Sequence, residues 1–452
     1  MSKKRFTLST THLIMLSFLF AIFIGSILLV LPISSADGIS VSYIDALFTA
    51  TTATCVTGLV TLPTVTAWST FGQVVILCLI QLGGLGVVTV MSGLMIALHK
   101  KMGIADRLLI QEAFNLNTLS GLIRFVKKVI GATFLVEGIG ALLYMTVFVP
   151  EYGLRGIWIS IFNSISAFCN AGLDIISENS LCEYATNPII NIVTSALIII
   201  GGIGYIVWWD VIRVLQLRQK QGKKCVQKLS LHSKIALWMT AFLIISGTLA
   251  FFIFEYNNEL TIGNHSLFDK LQISFFQSVT TRTAGFATIP QQNLTNASAF
   301  ISLVLMFIGG SPVGTAGGIK TVTAAVLLVT ALAMVQNKNE ITAFNRSLSQ
   351  KAVKKAIAVF CMSFIIMFIS TVLLSAVSDA PALDVLYETV SATATVGLTR
   401  NLTPTLNLWG KIIIIITMYL GRIGPISLAV ALNMKKSSRN IVKTPTEEIS
   451  VG

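Results

Sequence analysis

The chain has 452 residues, of which 54% are hydrophobic and only 11% are charged, and its mean hydropathy is +0.81. Soluble globular domains carry about 25% charged residues, so this composition excludes an ordinary water-soluble enzyme and indicates a membrane protein. The formal net charge of +13 would suit a nucleic-acid-binding protein, but the distribution of the basic residues along the chain argues against that function.

Eight apolar runs reach or approach the ~20 residues that an α-helix needs to cross a bilayer. We predict that each run crosses the membrane as a helix. In chain order the runs are Leu13–Leu31, Val74–Leu98, Phe125–Val149, Ile189–Trp209, Ile235–Phe254, Phe300–Met334, Ala356–Val377 and Ile412–Leu432.

A short, hydroxyl-rich segment follows every second run and is itself too short to cross a bilayer. Such a segment predicts a re-entrant helix, and non-helical backbone at membrane depth is tolerated only where it is buried or lines a water-filled cavity. The four segments are Tyr43–Thr54, Ile157–Phe168, Phe268–Thr281 and Leu383–Thr393.

A glycine follows each re-entrant segment, and the four glycines recur at intervals of 114, 113 and 112 residues. A fixed period is the signature of a repeated structural unit. We therefore predict an all-α membrane protein with four tandem helix–re-entrant pore helix–helix repeats in a pseudo-fourfold arrangement around a central ion pore. The prediction is one transmembrane pore domain over residues 1–452, with repeats at about 10–104, 105–222, 223–345 and 346–440 and a cytoplasmic tail at 441–452.

The residues up to each glycine are predicted to line the pore with backbone carbonyl oxygens. Rings of carbonyls can replace the hydration shell of a cation, and glycine adopts the φ values that turn successive carbonyls toward one axis. A plain turn is the alternative at a single glycine, but four matched positions favour the filter. The segments are Cys55-Val56-Thr57-Gly58, Cys169-Asn170-Ala171-Gly172, Arg282-Thr283-Ala284-Gly285 and Ala394-Thr395-Val396-Gly397.

The basic residues concentrate on one predicted side of the membrane. Of the 32, 25 lie at the termini or between repeats, beginning with Lys3, Lys4 and Arg5, and only five lie between the two helices of a repeat. The positive-inside rule therefore predicts that both termini and the inter-repeat loops are cytoplasmic. The opposite side is acidic, which would concentrate cations there or reflect no more than solvated loops.

Charged residues inside apolar runs are costly and indicate function. Lys320 and Arg422 are two of them, and Lys320 ends a segment whose five glycines and one proline cannot form a continuous helix. We predict an unwound loop below the filter. The phosphate-loop motif is excluded because Ile319, not glycine, precedes the lysine. The predicted gate comprises Gly310, Ser311, Pro312, Val313, Gly314, Thr315, Ala316, Gly317, Gly318, Lys320 and Arg422.

Other polar and glycine motifs inside the apolar runs have less specific interpretations. Glu137 suits either a structural helix contact or a function. Gly-Gly-x-Gly at Gly83–Gly86 and Gly201–Gly204 is interpreted as a contact between helices made by small residues. The Arg282 side chain must point away from the pore axis, and we expect it to brace the filter by pairing with a buried partner such as Glu388 or with an outer acid.

The motifs D-A-L-F-T-A, C-V-T-G-L, F-C-N-A-G, T-R-T-A-G-F, T-V-G-L-T, G-G-I-K and G-R-I-G-P, spread over the whole chain, resemble those of the Trk/Ktr/HKT superfamily of potassium transport proteins, and most closely the Ktr-type membrane subunit. The resemblance implies a potassium uptake channel in a bacterial plasma membrane. It also implies that the loop ending at Lys320 is an intramembrane gate, that Arg422 contacts this loop, and that glycine in all four filters favours potassium over sodium.

The same resemblance implies a homodimer in the lipid bilayer that sits on a cytoplasmic, nucleotide-binding regulatory ring of the KtrA/KtrC kind. The basic loops suit either that ring or anionic lipid. No covalent cofactor is expected beyond the transported potassium ion, with sodium as a candidate activator. A sodium-coupled potassium symporter is the alternative function. An enzyme is not expected, because His12, His99, His232 and His265 are scattered along the chain.

Overall fold

The computed structural model describes residues 10–98, 103–113, 121–221, 227–338 and 340–424. The predicted cytoplasmic tail at 441–452 and the basic residues Lys3, Lys4 and Arg5 lie outside the described residues. Within the described ranges the chain is helical apart from short connections and one small hairpin, in which β1 (Thr342–Ala343) pairs antiparallel with β2 (Arg346–Ser347).

Seventeen α-helices occur in the described ranges. In chain order they are α1 (Thr10–Val30), α2 (Tyr43–Cys55), α3 (Thr64–Ala67), α4 (Thr70–Leu85), α5 (Val87–Ala97), α6 (Ile104–Ala113), α7 (Leu122–Tyr152), α8 (Leu154–Cys169), α9 (Pro188–Gly202), α10 (Tyr205–Gln221), α11 (Leu231–Glu255), α12 (Leu267–Thr280), α13 (Asn296–Phe307), α14 (Thr321–Val335), α15 (Gln350–Val377), α16 (Ala382–Ala394) and α17 (Leu408–Ile423).

The long helices α1, α7, α11 and α15 form the outside of the molecule. Each is long and apolar enough to cross a membrane, and each exposes large apolar side chains, such as Phe20 at 66%, Leu135 at 65%, Trp238 at 66% and Phe368 at 57%. Large apolar surface of this kind is not left in contact with water. The four helices therefore face lipid, and the chain is a multi-pass membrane protein.

The short helices α2, α8, α12 and α16 form the inside. Most of their residues are buried, including the hydroxyl-bearing ones at their C-terminal ends. Ser42 and Ser266 cap the N-termini of α2 and α12 by accepting the backbone N–H three residues later, the usual arrangement for a serine N-cap. Several hydroxyls within these helices bond the preceding turn, as Thr51 does to the carbonyl of Leu47 at 2.7 Å, whereas Thr54 Oγ1 and Ser274 Oγ are buried and have no hydrogen-bond partner among the described residues.

Besides the sixth run, whose interruption the sequence predicts, two of the predicted spans are not single helices. The second apolar run bends by 96° between α4 and α5, and the fourth bends by 98° between α9 and α10. The prediction that each run crosses as one helix is wrong at these places. The bends lie at Gly86, with φ +82°, and Gly204, with φ +91°, because a right-handed helix cannot continue through a positive φ.

Small-residue packing explains the other glycines of these motifs. A side chain at Gly83 would clash with the carbonyl oxygen of Thr54, and one at Gly84 would clash with Cys169. The helix-contact interpretation therefore fits the first two glycines of Gly83–Gly86, while the last glycine breaks the helix. The repeat boundaries predicted above stay a prediction.

Polar contacts join neighbouring repeats around the molecule. Lys411 of α17 donates to Asp45 of α2 at 2.6 Å, across 366 residues of sequence. Burial raises the pKa of Asp45, but the hydrogen bonds from Lys411 and Ser42 outweigh it and hold that pKa below its usual value. Three further contacts link the repeats: Trp158 Nε1 to Gln73 Oε1 at 2.8 Å, Leu181 N to the carbonyl of Ala287 at 2.9 Å, and Arg400 to the carbonyl of Gln291 at 3.0 Å.

Candidate ion pathway

The four glycines that recur in the sequence meet at one place in the structure. A Cβ atom placed on each glycine would press on the carbonyl oxygen that precedes the glycine of another repeat, and these contacts close into a ring. The pairs are Gly58 with Ala171 (2.6 Å), Gly172 with Ala284 (2.5 Å), Gly285 with Val396 (2.5 Å), and Gly397 with Thr57. Only glycine fits these positions, whose φ values lie between +64° and +99°.

Between each pore helix and the glycine of the ring lies one residue with left-handed backbone. Val56, Asn170 and Thr395 are the C-caps of α2, α8 and α16, with φ values of +56°, +59° and +51°, and Thr283 takes +64° after α12. All four residues lie two positions before the glycine. This turn reverses the direction of the chain and sends the following residues away from the helix end.

Hydroxyl groups that the sequence analysis did not single out hold the filter loops in place. Thr52 Oγ1 accepts the N–H of Gly58 at 2.9 Å, and Ser391 Oγ accepts the N–H of Gly397 at 3.0 Å. Ser166 Oγ accepts the N–H of Leu173 at 3.2 Å. These three hydroxyls lie six residues before their glycines, so an alignment of the repeats would have found them.

The side chains of the predicted filter residues point in different directions. Cys55 and Cys169 are fully buried, and Cys169 Sγ lies 3.6 Å from Gln81 Oε1, behind the loop. Gln81 also donates to both carboxylate oxygens of Glu137, at 3.1 and 3.2 Å. Glu137 is thus part of a buried polar contact between α4, α7 and α8, which agrees with the structural alternative for this residue.

The expected pairing of Arg282 with Glu388 does not occur. Arg282 is buried and points away from the ring, as predicted, but among the described residues its guanidinium donates only to Thr240 Oγ1, at 3.3 Å. Glu388 instead accepts hydrogen bonds from the hydroxyls of Thr399, at 2.6 Å, and Thr403. The two hydroxyls on the loop after the filter satisfy this carboxylate locally, so no arginine is needed.

The sixth apolar run is interrupted between α13 and α14, as the sequence predicts. Residues 309–320 are not helical, and their ends are tied by a hydrogen bond from Gly309 N to the carbonyl of Ile319 at 2.9 Å. The loop then packs against the C-terminal end of α9, because Ser311 N and Thr315 N donate to the carbonyls of Gly202 and Gly201. Lys320 Nζ turns back to the carbonyl of Ala316 at 2.6 Å.

Arg422 joins this loop to the first repeat. Its guanidinium donates to the carbonyl of Thr315 at 2.7 Å and to the carbonyl of Gly83. Both acceptors are main-chain groups at non-helical or bent positions, where a carbonyl lacks its helical partner. The contact between Arg422 and the loop is the one that the resemblance implies. Arg422 also connects the loop to α4, and both of these acceptors are main-chain carbonyls rather than carboxylates.

A cavity of about 540 Å³ lies next to the loop and the ends of the pore helices. Its walls include the bend at Gly83–Gly86, the loop residues Val313, Gly314 and Ala316–Lys320, Thr393 and Ala394 at the end of α16, and Arg422. The cavity therefore reaches both the filter and the loop. The filter, the cavity and the loop are neighbours, and together they are the candidate ion pathway.

Comparisons with known proteins agree with this architecture. Residues 5–444 match the TrkH family, described as cation transport protein. The chain belongs to the TrkH family. It is 39% identical to the "Potassium/sodium uptake protein NtpJ" of Enterococcus hirae, over 98% of each chain. It is 40% identical to the "Ktr system potassium uptake protein B" of Bacillus subtilis, covering 97% of this chain and 95% of the relative.

Among solved structures, the potassium transporter TrkH from Vibrio parahaemolyticus aligns with a TM-score of 0.76 and 17% identity, over 96% of this chain and 87% of that one. At this identity the likeness shows the fold alone. Membership of the TrkH family confirms the predicted resemblance to the Trk/Ktr group and the predicted all-α membrane fold. The family consists of transport proteins.

Proposed function

We propose that the chain is a potassium uptake channel or transporter subunit in which the ion passes through the four glycine loops. The ring of glycines and carbonyls carries this proposal. The four loops approach so closely that no side chain fits between them. In this proposal they present main-chain oxygens to a common axis, and such oxygens replace the water around a dehydrated cation. The two relatives at 39% and 40% identity are both named as potassium uptake proteins, which supports potassium as the ion.

In this proposal the loop between α13 and α14 is the gate, and Arg422 holds the gate closed by its hydrogen bond to the loop. The loop contacts the filter and lines the cavity, and Arg422 donates to the carbonyl of its middle residue, Thr315. A guanidinium in the ion path also repels cations directly, and the repulsion is strong because few screening waters surround it. Releasing Arg422 from Thr315 would free the loop and move the positive charge at the same time.

Sodium-coupled potassium symport is the second candidate. The relative from Enterococcus hirae has both ions in its name, so sodium is either a coupled substrate or an activator. A symporter needs sodium for every transport cycle, whereas a channel lets potassium run down its own gradient. Sodium-free flux therefore separates the two mechanisms.

We further propose the assembly that the Ktr-system name of the Bacillus subtilis relative suggests. The membrane subunit would form a homodimer on a cytoplasmic nucleotide-binding ring, with both termini on the ring side. The basic inter-repeat loops face that side under the positive-inside rule. They would meet the ring, or anionic lipid where the ring does not reach.

Two experiments test the proposal. The gene should restore growth of a potassium-uptake-deficient bacterium at low external potassium, both with and without a co-expressed regulatory ring. Purified protein in liposomes should then release potassium down its gradient in sodium-free buffer. Release only when sodium is present would favour the symporter, and no potassium movement under either condition would contradict the proposed function.

A further inference from the structure

We call the four residues that lie two places before the filter glycines the inner rim of the filter. In three of the four repeats this residue has a side-chain oxygen. The left-handed residue two places before each glycine is Val56, Asn170, Thr283 or Thr395. Since these residues share position and backbone conformation, their side chains leave the four loops at equivalent points. Asn170, Thr283 and Thr395 each bring an oxygen to this rim, and Val56 brings none.

The intramembrane loop binds two of these oxygens. The Thr315 hydroxyl has two acceptors within hydrogen-bond distance, Asn170 Oδ1 at 3.0 Å and the carbonyl oxygen of Phe168 at 3.1 Å. The backbone N–H of Gly317 donates to Thr283 Oγ1 at 3.1 Å. Both contacts join residues more than thirty positions apart in sequence, and both are fully buried. They hold the loop directly against the filter in the position that it takes in this structure, which we call the seated position.

The loop also covers the third oxygen. Thr395 Oγ1 is buried and has no hydrogen-bond partner among the described residues, and a side chain on Gly317 would clash with it. Leaving a buried hydroxyl unpaired costs free energy. Valine would remove that cost at an equivalent place, as Val56 shows, so packing alone does not explain the threonine.

The three oxygens all contact one short stretch of the loop, from Thr315 to Gly317. Thr315 and Gly317 are two residues apart, and two residues span at most ~7 Å, so the groups that contact them cannot be far apart. Gly317 and the neighbouring Ala394 also line the 540 Å³ cavity. Gly317 therefore contacts the oxygens on one side and the cavity on the other.

We propose that Asn170 Oδ1, Thr283 Oγ1 and Thr395 Oγ1 form a side-chain binding site for a partly hydrated potassium ion at the inner end of the filter. Thr315 and Gly317 occupy this site when the loop is seated. The inference depends on the proposed function and adds a second role for the loop, which competes with the ion for the same oxygens. A ligand that binds only the released state shifts the equilibrium toward that state, so potassium on the cytoplasmic side favours release of the loop.

The test separates the contact of the loop from the binding of the ion. Thr315→Val removes the loop hydroxyl and keeps its shape, so we expect it to raise potassium current in patches excised from protein-containing giant vesicles. In that background, Thr395→Val should raise the half-saturating potassium concentration on the cytoplasmic side several-fold, and Thr395→Ser should restore it. Thr283→Val provides a second removal of an oxygen. Thr330→Val is the matched control, because the Thr330 hydroxyl bonds only within its own helix.

The outcomes differ for the two proposals. If Thr315→Val conducts but neither Thr395→Val nor Thr283→Val changes the half-saturating concentration, the oxygens only brace the loop and the ion site is wrong. If Thr315→Val leaves the current at its original level, the loop does not compete for the site, and the inference also falls. Absence of potassium current in every variant and in the original chain would instead contradict the proposed function.

Discussion

Replacing a filter glycine tests whether the carbonyl ring selects the ion. In Gly58→Ser, the new Cβ would lie 2.6 Å from the carbonyl oxygen of Ala171, whereas ordinary contact begins at 3.4 Å. The loop of the second repeat must therefore shift by about 0.8 Å, and the serine must also hold a φ of +99°. Backbone strain of this kind costs about 1–3 kcal/mol.

We expect this strain to appear as lost discrimination between potassium and sodium. Each 1.4 kcal/mol is a factor of ten in relative affinity, so Gly58→Ser and Gly397→Ser should each lower the potassium-to-sodium flux ratio about tenfold. The measurement is the flux of each ion in turn from loaded liposomes. Gly38→Ser is the matched control, since Gly38 also has a positive φ, +68°, but has no atom within 4 Å of the added Cβ. An unchanged flux ratio in both filter variants would refute the filter assignment.

Three further predictions concern the proposed gate, the hydroxyls that support the filter, and the ion pair between Lys411 and Asp45. Arg422→Ala should raise potassium flux in liposomes, because the loop loses its bond to α4; abolished flux in a well-folded variant would argue against a gate. Ser391→Ala leaves the N–H of Gly397 without its acceptor, which costs about 1–3 kcal/mol, and should lower ion selectivity less than Gly397→Ser does. Lys411→Met leaves the partly buried Asp45 without its ion pair and should lower the apparent Tm in detergent; the reasoning fails if Lys411→Met and the exposed Lys351→Met have the same Tm.

The sequence could predict the central ring because its signal is repeated. One glycine after a hydroxyl-rich segment is ambiguous, but four of them at a nearly constant interval share one structural reason. The interrupted sixth run was also predictable, since Pro312 and its neighbouring glycines cannot be helical. An alignment of the four repeats on their glycines would also have shown the hydroxyls of Thr52 and Ser391 at equivalent positions. They were not recognised because they lie inside the pore helices rather than in the filter segments.

Other features depend on contacts that the sequence does not encode locally. The Gly-Gly-x-Gly pattern is equally typical of helix packing and of a helix break. The structure shows that Gly84 packs against Cys169, while Gly86 turns the chain. The partner of Arg282 was misassigned because chemical complementarity suggested an acid. Glu388 was already satisfied by two threonines that follow it in sequence, and the arginine found Thr240 across the helix interface.

In the proposed mechanism a single loop controls four filter segments, because the segments are packed on one another. The loop contacts the filter at Asn170, Thr283, Ala394 and Thr395, and none of these belongs to the first repeat. Yet Gly58 of the first repeat lies so close to the carbonyl of Ala171, one residue from Asn170, that no side chain fits between them. Close-packed interiors transmit small displacements because they contain no space to absorb them. Movement of the loop would therefore reach the first repeat through the ring itself, and a fourfold gate is unnecessary.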